Sequence, residues 1–409
     1  MKINKVKVKE AMERVGIPTQ TKLSEKLGIS KNQLSVILSK KYTPYKSTFL
    51  DLCNLLDVEP GEIIDNSSQF ETQEPGDLKI NQSDVTAIEL FAGGGGLALG
   101  LEKAKIRTLA YVEIDKFCCE TLKHNRPSWN VINDDISNVD FKKYKGKADI
   151  ITGGFPCQAF SFAGKKLGFE DTRGTLFYEF ARCVKETKPL AFMAENVRGL
   201  ISHDNGRTLT TILEVLTSLG YKVEYKLLHA VEYGVPQKRE RIVIVGTKKG
   251  VFFEFPAKAA KVKKLKDALK NVPISEGQSY STSKKAVLDL VPPGGCWRNL
   301  PIEIQKSYMG KSFTSGGGRT GMARRISWDE PCLTLTCSPS QKQTERCHPD
   351  ETRPFTVREY ARIQTFTDDW EFCGGIGEKY KQIGNAVPVY LAEQLGEQLY
   401  KAIKQYKNR

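Results

Sequence analysis

The chain has 409 residues, 40% of them hydrophobic, and a formal net charge of +14 with a pI near 9.1. That is enough chain for two or three domains with proper cores, and it excludes collagenous and wholly disordered classes. The positive excess points to a polyanionic partner, nucleic acid first, and no run approaches the roughly 18 apolar residues of a membrane span.

Ten cysteines without a disulfide framework suit a reducing cytosol. Cys332, Cys337, Cys347 and His348 have no paired C-x-x-C spacing, so no metal is expected. Met1-Lys2-Ile3-Asn4-Lys5 is charged but has no apolar core behind it, so neither a secretory leader nor a membrane is expected, and the expected location is cytoplasmic and nucleoid-associated.

From Val6 to Ile64 the apolar residues recur at helical spacing. Between Met1 and Lys46 there are eleven Lys/Arg against three Asp/Glu. One helix should end at Gly28, and Ser30 is a good N-cap for another over Lys31–Leu38. Helix, glycine turn and helix make a helix-turn-helix, with Leu34 and Ile37 inward. Lys31, Asn32, Gln33 and Ser35 then face out, able to reach phosphates and base edges of duplex DNA. Residues 1–65 resemble the phage-repressor family of helix-turn-helix domains, which implies DNA binding and a dimer through this head. Residues 66–84, rich in Ser, Gln, Asn and acids around Pro75-Gly76, read as a linker.

Beyond the linker the pattern changes to strand, turn and helix in alternation. Val85–Leu90 is β-rich, Phe91-Ala92-Gly93-Gly94-Gly95-Gly96 is a glycine turn, and Leu97–Ala104 is helical. Further strands are predicted at 108–112, 131–133, 148–152, 191–194, 223–228 and 242–245, with helices at 175–185 and 208–219. This rhythm predicts an α/β fold, doubly wound and Rossmann-like, with a mainly parallel sheet and a ligand at the strands' carboxyl ends. Gly93-x-Gly95-x-x-Ala98 with Glu113 twenty residues on fits a dinucleotide fingerprint, so NAD and S-adenosylmethionine are not separated by this loop.

After the strand at 148–152 comes Gly153-Gly154-Phe155-Pro156-Cys157-Gln158, which sets one thiol on a strand-to-loop turn. An isolated cysteine is more often a small buried apolar residue; a cysteine placed this way can be a nucleophile. Ala194-Glu195-Asn196-Val197 ends another apolar strand with a carboxylic acid. Gln237-Lys238-Arg239-Glu240-Arg241 sets two arginines two apart at a strand start, and Gly384-Asn385-Ala386-Val387-Pro388 precedes the last helix.

In order and spacing, these stretches and the glycine loop resemble the motif set of DNA (cytosine-5)-methyltransferases, from about Ala87 to the end. The resemblance implies that Cys157 attacks C6 of a flipped cytosine and that Glu195 protonates or hydrogen-bonds N3. It implies that Arg241 holds the base, that Arg239 holds the backbone phosphate, and that Asn196 orients the cysteine loop. S-adenosylmethionine is the implied cofactor, bound by Phe91, Gly93, Gly95, Glu113, Ile114, Asp135, Ile136, Pro156, Asn385 and Val387. Glu89 stands where the family more often has aspartate, and the longer acid is expected to reach a loop amide.

Residues 85–250 then form the catalytic domain, 251–352 a target-recognition domain, and 353–409 a hinge helix with the C-terminal completion of the catalytic domain. The recognition interval is basic and loop-rich, and Arg319, Arg324 and Arg325 beside Ser315–Gly318 are expected to contact DNA. The leading reading is a restriction-modification methyltransferase that acts as a monomer on DNA, has a restriction endonuclease as its counterpart, and represses its own operon through the head. Two others remain open on the sequence: an S-adenosylmethionine-sensing transcriptional regulator without catalysis, and an RNA cytosine-5 methyltransferase.

Overall fold

The computed structural model describes residues 5–29, 31, 34, 38, 52–58, 84–155, 175–314 and 321–409. The chain forms two compact units, Met1–Ile80 and Asn81–Arg409.

In the first unit, helices Lys5–Arg14 and Gln20–Lys26 turn Val8, Ala11 and Leu23 into a core shared with Leu34, Leu52 and Leu56. Thr19 caps the second helix by accepting from Lys22 N at 3.2 Å, and Gly28 takes a left-handed φ of +66° as the chain leaves it. Lys31 is exposed and Leu34 buried. Asn32, Gln33 and Ser35 lie outside the described residues.

Among its described residues the second unit has nine strands: β1 Thr86–Leu90, β2 Arg107–Glu113, β3 Val131–Asn133, β4 Ile150–Gly153, β5 Ala191–Val197, β6 Lys222–His229, β7 Gln237–Lys238, β8 Glu240–Thr247 and β9 Cys332–Leu333. Seven of them form one sheet in the order β3-β2-β1-β4-β5-β8-β6. The first five run parallel, while β8 is antiparallel to both β5 and β6. The link from β6 to β8 is too short for the crossover that a parallel neighbour needs, so the chain turns back at Gly234, φ +75°.

Apolar residues alternate across the sheet because strand side chains do. Ile88, Leu90, Ile151 and Phe192 meet helices Leu176–Thr187 and Arg207–Ser218 on one face. Ala87, Ile150, Met193 and Val243 meet helices Gly96–Lys103 and Val389–Lys407 on the other. Two glycines let this second helix pair touch: a Cβ on Gly100 would stand 2.4 Å from the Ala392 Cβ, and one on Gly396 2.7 Å from the Ala104 Cβ. Leu391, Leu395 and Leu399 are buried along that contact, each contributing about 1.5–3 kcal/mol. The end of the chain therefore completes the sheet's covering layer.

The interval after β8 holds short helices: Thr282–Asp289 and Ile302–Met309 surround a small core of Leu288, Trp297, Met309, Ala323 and Cys347, while Leu265–Leu269 buries its leucines in a separate cluster with Val357, Tyr360 and Ile363. Arg324 and Arg325, expected to contact DNA, instead bond the protein's own acceptors, Arg325 buried and Arg324 partly so. Arg325 is 4% exposed and donates to Val291 O, Leu288 O, His348 O, Pro349 O and Thr352 Oγ1. Arg324 forks onto Glu330 at 2.6 and 2.7 Å and also donates to Gly294 O. In a loop-rich fold no ladder satisfies these carbonyls, and the guanidinium groups do so instead. Arg319 lies outside the described residues. Helix Val357–Ile363 starts on a capping box between Thr356 and Glu359.

Candidate active site

β1 and β4 are neighbours in the sheet, and the loops that leave their carboxyl ends open a crevice at the point where strand order reverses. A cavity of about 440 Å³ lies there. The glycine loop forms one wall, with Phe91, Gly93 and Gly95 all at positive φ. Gly95 itself turns away from the cavity, and a Cβ there would stand 2.5 Å from the Trp370 ring. Trp370 Nε1 donates to Gly94 O at 3.1 Å, so the ring props the loop from behind.

Glu113 leaves the end of β2 and is aimed by two backbone donors: Gly93 N reaches Oε2 at 2.7 Å and Asp115 N reaches Oε1 at 2.8 Å. Asp115 caps helix Lys116–Asn125 and accepts from Lys381 Nζ at 2.8 Å. Burial raises the Asp115 carboxyl, but Lys381 and the Phe117 and Cys118 amides together hold it below its ordinary value. Glu89 does not settle on a loop amide as expected. It is 1% exposed, and neither oxygen has a partner in regular hydrogen-bond geometry. Burial pushes its carboxyl well above the ordinary value, with only the Ala98 amide favouring its charge and Glu113 opposing it.

The opposite wall comes from β4, β5 and β8. Because β8 runs backwards, its first residues lie beside the last residues of β5, and Val197 pairs with Arg241. Glu195 and Arg241 thus sit on one face as a diagonal pair, joined Oε1 to Nε at 2.7 Å with both side chains about one-eighth exposed. Gly154 lets the acid in, since a Cβ there would be 3.0 Å from Glu195 Oε2. Asn196 is buried, donates to Phe155 O at 2.8 Å, and accepts from Val197 N at 2.8 Å. Phe155 immediately precedes Pro156 and Cys157, both of which lie outside the described residues.

Arg239 departs from its expected role. At 1% exposure its Nη1 donates to Leu335 O and its Nη2 to Gly384 O, so the side chain is spent on the protein's own carbonyls rather than offered to a phosphate. Burial, reinforced by Arg241, lowers its pKa to about 9.

Phe91, Gly93, Glu113, Glu195, Asn196, Arg239, Arg241, Asn385 and Val387 all line the one cavity. Ile114, Asp135 and Ile136 are not among its lining residues. Ile114 is 66% exposed, Asp135 caps a turn through Ser137, and Ile136 is apolar enough to be drawn into the core. Asp115, Cys118, Lys381 and Gln382 were not anticipated. Asp115 had a local signal, an N-cap after a strand, whereas Lys381 reaches the site only through the fold. Burial, then Glu113 and Asp115, push the Cys118 thiol far up, which disfavours a thiolate there.

Residues 85–401 match the model of C-5 cytosine-specific DNA methylase, and residues 7–69 match a helix-turn-helix domain. The chain is 51% identical to the Type II methyltransferase M.Sau96I of Staphylococcus aureus, covering 99% of this chain and all of that protein. It is 57% identical to the Type II methyltransferase M.Eco47II of Escherichia coli, over 83% of this chain and 84% of that protein. Spodoptera frugiperda DNMT2 shares the fold at 16% identity with a TM-score of 0.56, over 77% of this chain and 99% of that one.

Proposed function

Because this chain belongs to the C-5 cytosine-specific DNA methylase family and carries a helix-turn-helix domain ahead of it, we propose that it methylates C5 of a cytosine flipped out of duplex DNA, through a covalent bond between Cys157 and C6, with S-adenosylmethionine as donor. One observation carries the reading: the Glu195–Arg241 pair and the Glu113 carboxylate open onto the same cavity, whose lining includes Phe155, two residues before Cys157 in the sequence.

The cavity has the volume of a small-molecule site, and Glu113, held by two amides, keeps acceptor capacity for a ribose diol. Phe91, Gly93, Glu113, Asn385 and Val387 would hold the donor. When bound, it supplies an electrophilic sulfonium methyl.

The chain's own residues do the rest. The Cys157 thiolate adds to C6, and the electron pair displaced from the C5–C6 bond makes C5 nucleophilic. Glu195 protonates or hydrogen-bonds N3 as charge builds on the ring, while Arg241 holds both the base and the acid. After methyl transfer, a base removes the C5 proton and the thiolate leaves C6, which restores the ring. Asn196 fixes the head of the cysteine loop through Phe155 O.

In this reading the enzyme works in the cytoplasm, protects DNA from an endonuclease of the same specificity, and uses Lys31, Asn32, Gln33 and Ser35 of its head to bind its own promoter. Incubation with labelled S-adenosylmethionine and duplex DNA, tRNA or no acceptor tests the main claim. Label should enter DNA only, and should vanish in Cys157→Ala. Transfer to tRNA alone, or transfer to DNA that persists in the variant, sinks it. A head with no preference for upstream promoter DNA over random duplex in a gel shift sinks the regulatory part.

A further inference from the structure

Arg239 stands where three parts of the second unit meet. Its Nη1 donates to Leu335 O at 3.2 Å, in the recognition interval, and its Nη2 to Gly384 O at 2.9 Å, directly before Asn385 in the cavity wall. Those two segments touch through bare backbone: a Cβ on Gly384 would stand 2.5 Å from the Thr336 carbonyl and 2.7 Å from Cys337 N. Cys337 Sγ adds a bond to Asn385 Oδ1 at 2.9 Å.

From the strand side, β7 pairs with β9, which opens the same recognition segment. Gln237 Oε1 accepts from Leu335 N at 3.0 Å, and its Nε2 donates to Gln364 Oε1 at 2.9 Å. Gln364 passes the chain on to Ile383 O at 2.7 Å and Ala386 O at 3.1 Å. Gln237 and Gln364 are fully buried and Arg239 nearly so. In such a buried network each lost bond leaves a desolvated partner behind, so the members hold one arrangement together. A guanidinium can donate to two carbonyls in diverging directions, and a lysine ammonium at the end of a flexible stem reproduces that poorly.

We infer that Arg239 is a positioning residue that couples the recognition interval to the cofactor cavity, so that target DNA and cofactor strengthen each other's binding. This rests on the function proposed above for the identity of the two ligands. Any movement of the Cys332–Cys337 segment on DNA is felt at Gly384, and from there at Asn385 and Val387. Binding linkage is reciprocal, so each ligand must change the other's affinity by the same factor.

The test uses the full chain. The affinity for S-adenosylhomocysteine is measured with and without a duplex that the wild type methylates, and the affinity for that duplex with and without S-adenosylhomocysteine. The wild type should give one factor both ways, within the usual range of about 5- to 150-fold. In Arg239→Lys it should fall towards one, while each separate affinity changes by less than the factor lost. A residue that served stability alone would lower the melting temperature and leave the factor intact, and that result overturns the inference, as does a wild type with no coupling. If Arg239→Lys does not stay folded, Cys337→Ala decides: a reduced factor at an unchanged melting temperature is expected, and an unchanged factor overturns the inference. A wild type that methylates DNA but shows no coupling condemns the inference alone; a wild type that methylates no duplex brings down the functional reading and the coupling together.

Discussion

Glu195 and Arg241 meet at 2.7 Å across an antiparallel strand pair, two residues apart in register, at the end of the sheet where the parallel strands stop. The acid is therefore already ordered before any base arrives, and the cation that orders it also faces the cavity.

Glu195→Gln keeps the side chain's size and loses its ability to hand a proton to a ring nitrogen. The turnover rate on DNA should fall by about 10²–10⁴-fold, the usual contribution of a positioned acid, with cofactor affinity little changed. Single-turnover methyl transfer measures this. A variant within threefold of wild type would show that the ring does not depend on this acid.

Trp370→Phe removes the bond to Gly94 O and shrinks the ring that Gly95 rests on. One neutral hydrogen bond contributes about 0.5–1.5 kcal/mol, so the affinity for S-adenosylhomocysteine should weaken by about 2- to 10-fold. Calorimetric titration reads the change. Gly95→Ala should be worse than Trp370→Phe, since its Cβ meets both Trp370 and Leu122 at a backbone φ of +91°. Equal or better binding in Gly95→Ala would show that Trp370 does not prop the loop.

Glu89 predicts a pH effect with a definite sign. Its folded pKa is raised, so the native state keeps a proton that the unfolded chain releases once the pH exceeds the ordinary carboxyl value. Its contribution to stability is full below that value and declines as pH rises towards the folded pKa, by up to about 1.4 kcal/mol per pH unit. Glu89→Gln does not titrate, so its melting temperature should gain on that of the wild type between pH 5 and 8. Parallel melting curves across that range would mean that Glu89 is ionised in the folded protein.

Arg325→Met leaves four buried or partly buried acceptors, Val291 O, His348 O, Pro349 O and Thr352 Oγ1, without this donor, while Leu288 O keeps the Val291 amide. At about 1–3 kcal/mol for each unpaired buried group, the loss of stability should be large. The slope of log affinity for DNA against log salt should not change. A phosphate contact would instead reduce that slope by about 1 and spare the melting temperature, and that pattern would return Arg325 to the DNA surface.

The sequence made the local devices legible. The glycine loop, Glu113 at the next strand end, the proline-flanked cysteine and the strand that ends in Glu195 and Asn196 all announce themselves by spacing, because backbone geometry and side-chain periodicity act over a few residues. The alternating pattern likewise predicted the doubly wound sheet. Ile114, Asp135 and Ile136 were carried over by motif position, yet what their side chains face is settled by the neighbouring surfaces.

Burial and strand direction were decided elsewhere. Trp370 reaches Gly94, Lys381 reaches Asp115, and Arg239 reaches Gly384 over 276, 266 and 145 residues of chain. No local pattern encodes which carbonyl an arginine will find when the chain closes, so Arg239, expected on a backbone phosphate, and Arg324 and Arg325, expected on DNA, are found bonded to acceptors of the chain itself. The sequence determined which groups are available and at which strand ends. The tertiary structure alone decided, by turning β8 against β5, that Arg241 at the start of a strand lies at the same edge as Glu195 near the end of another; side by side in parallel, the two would lie at opposite ends of the sheet.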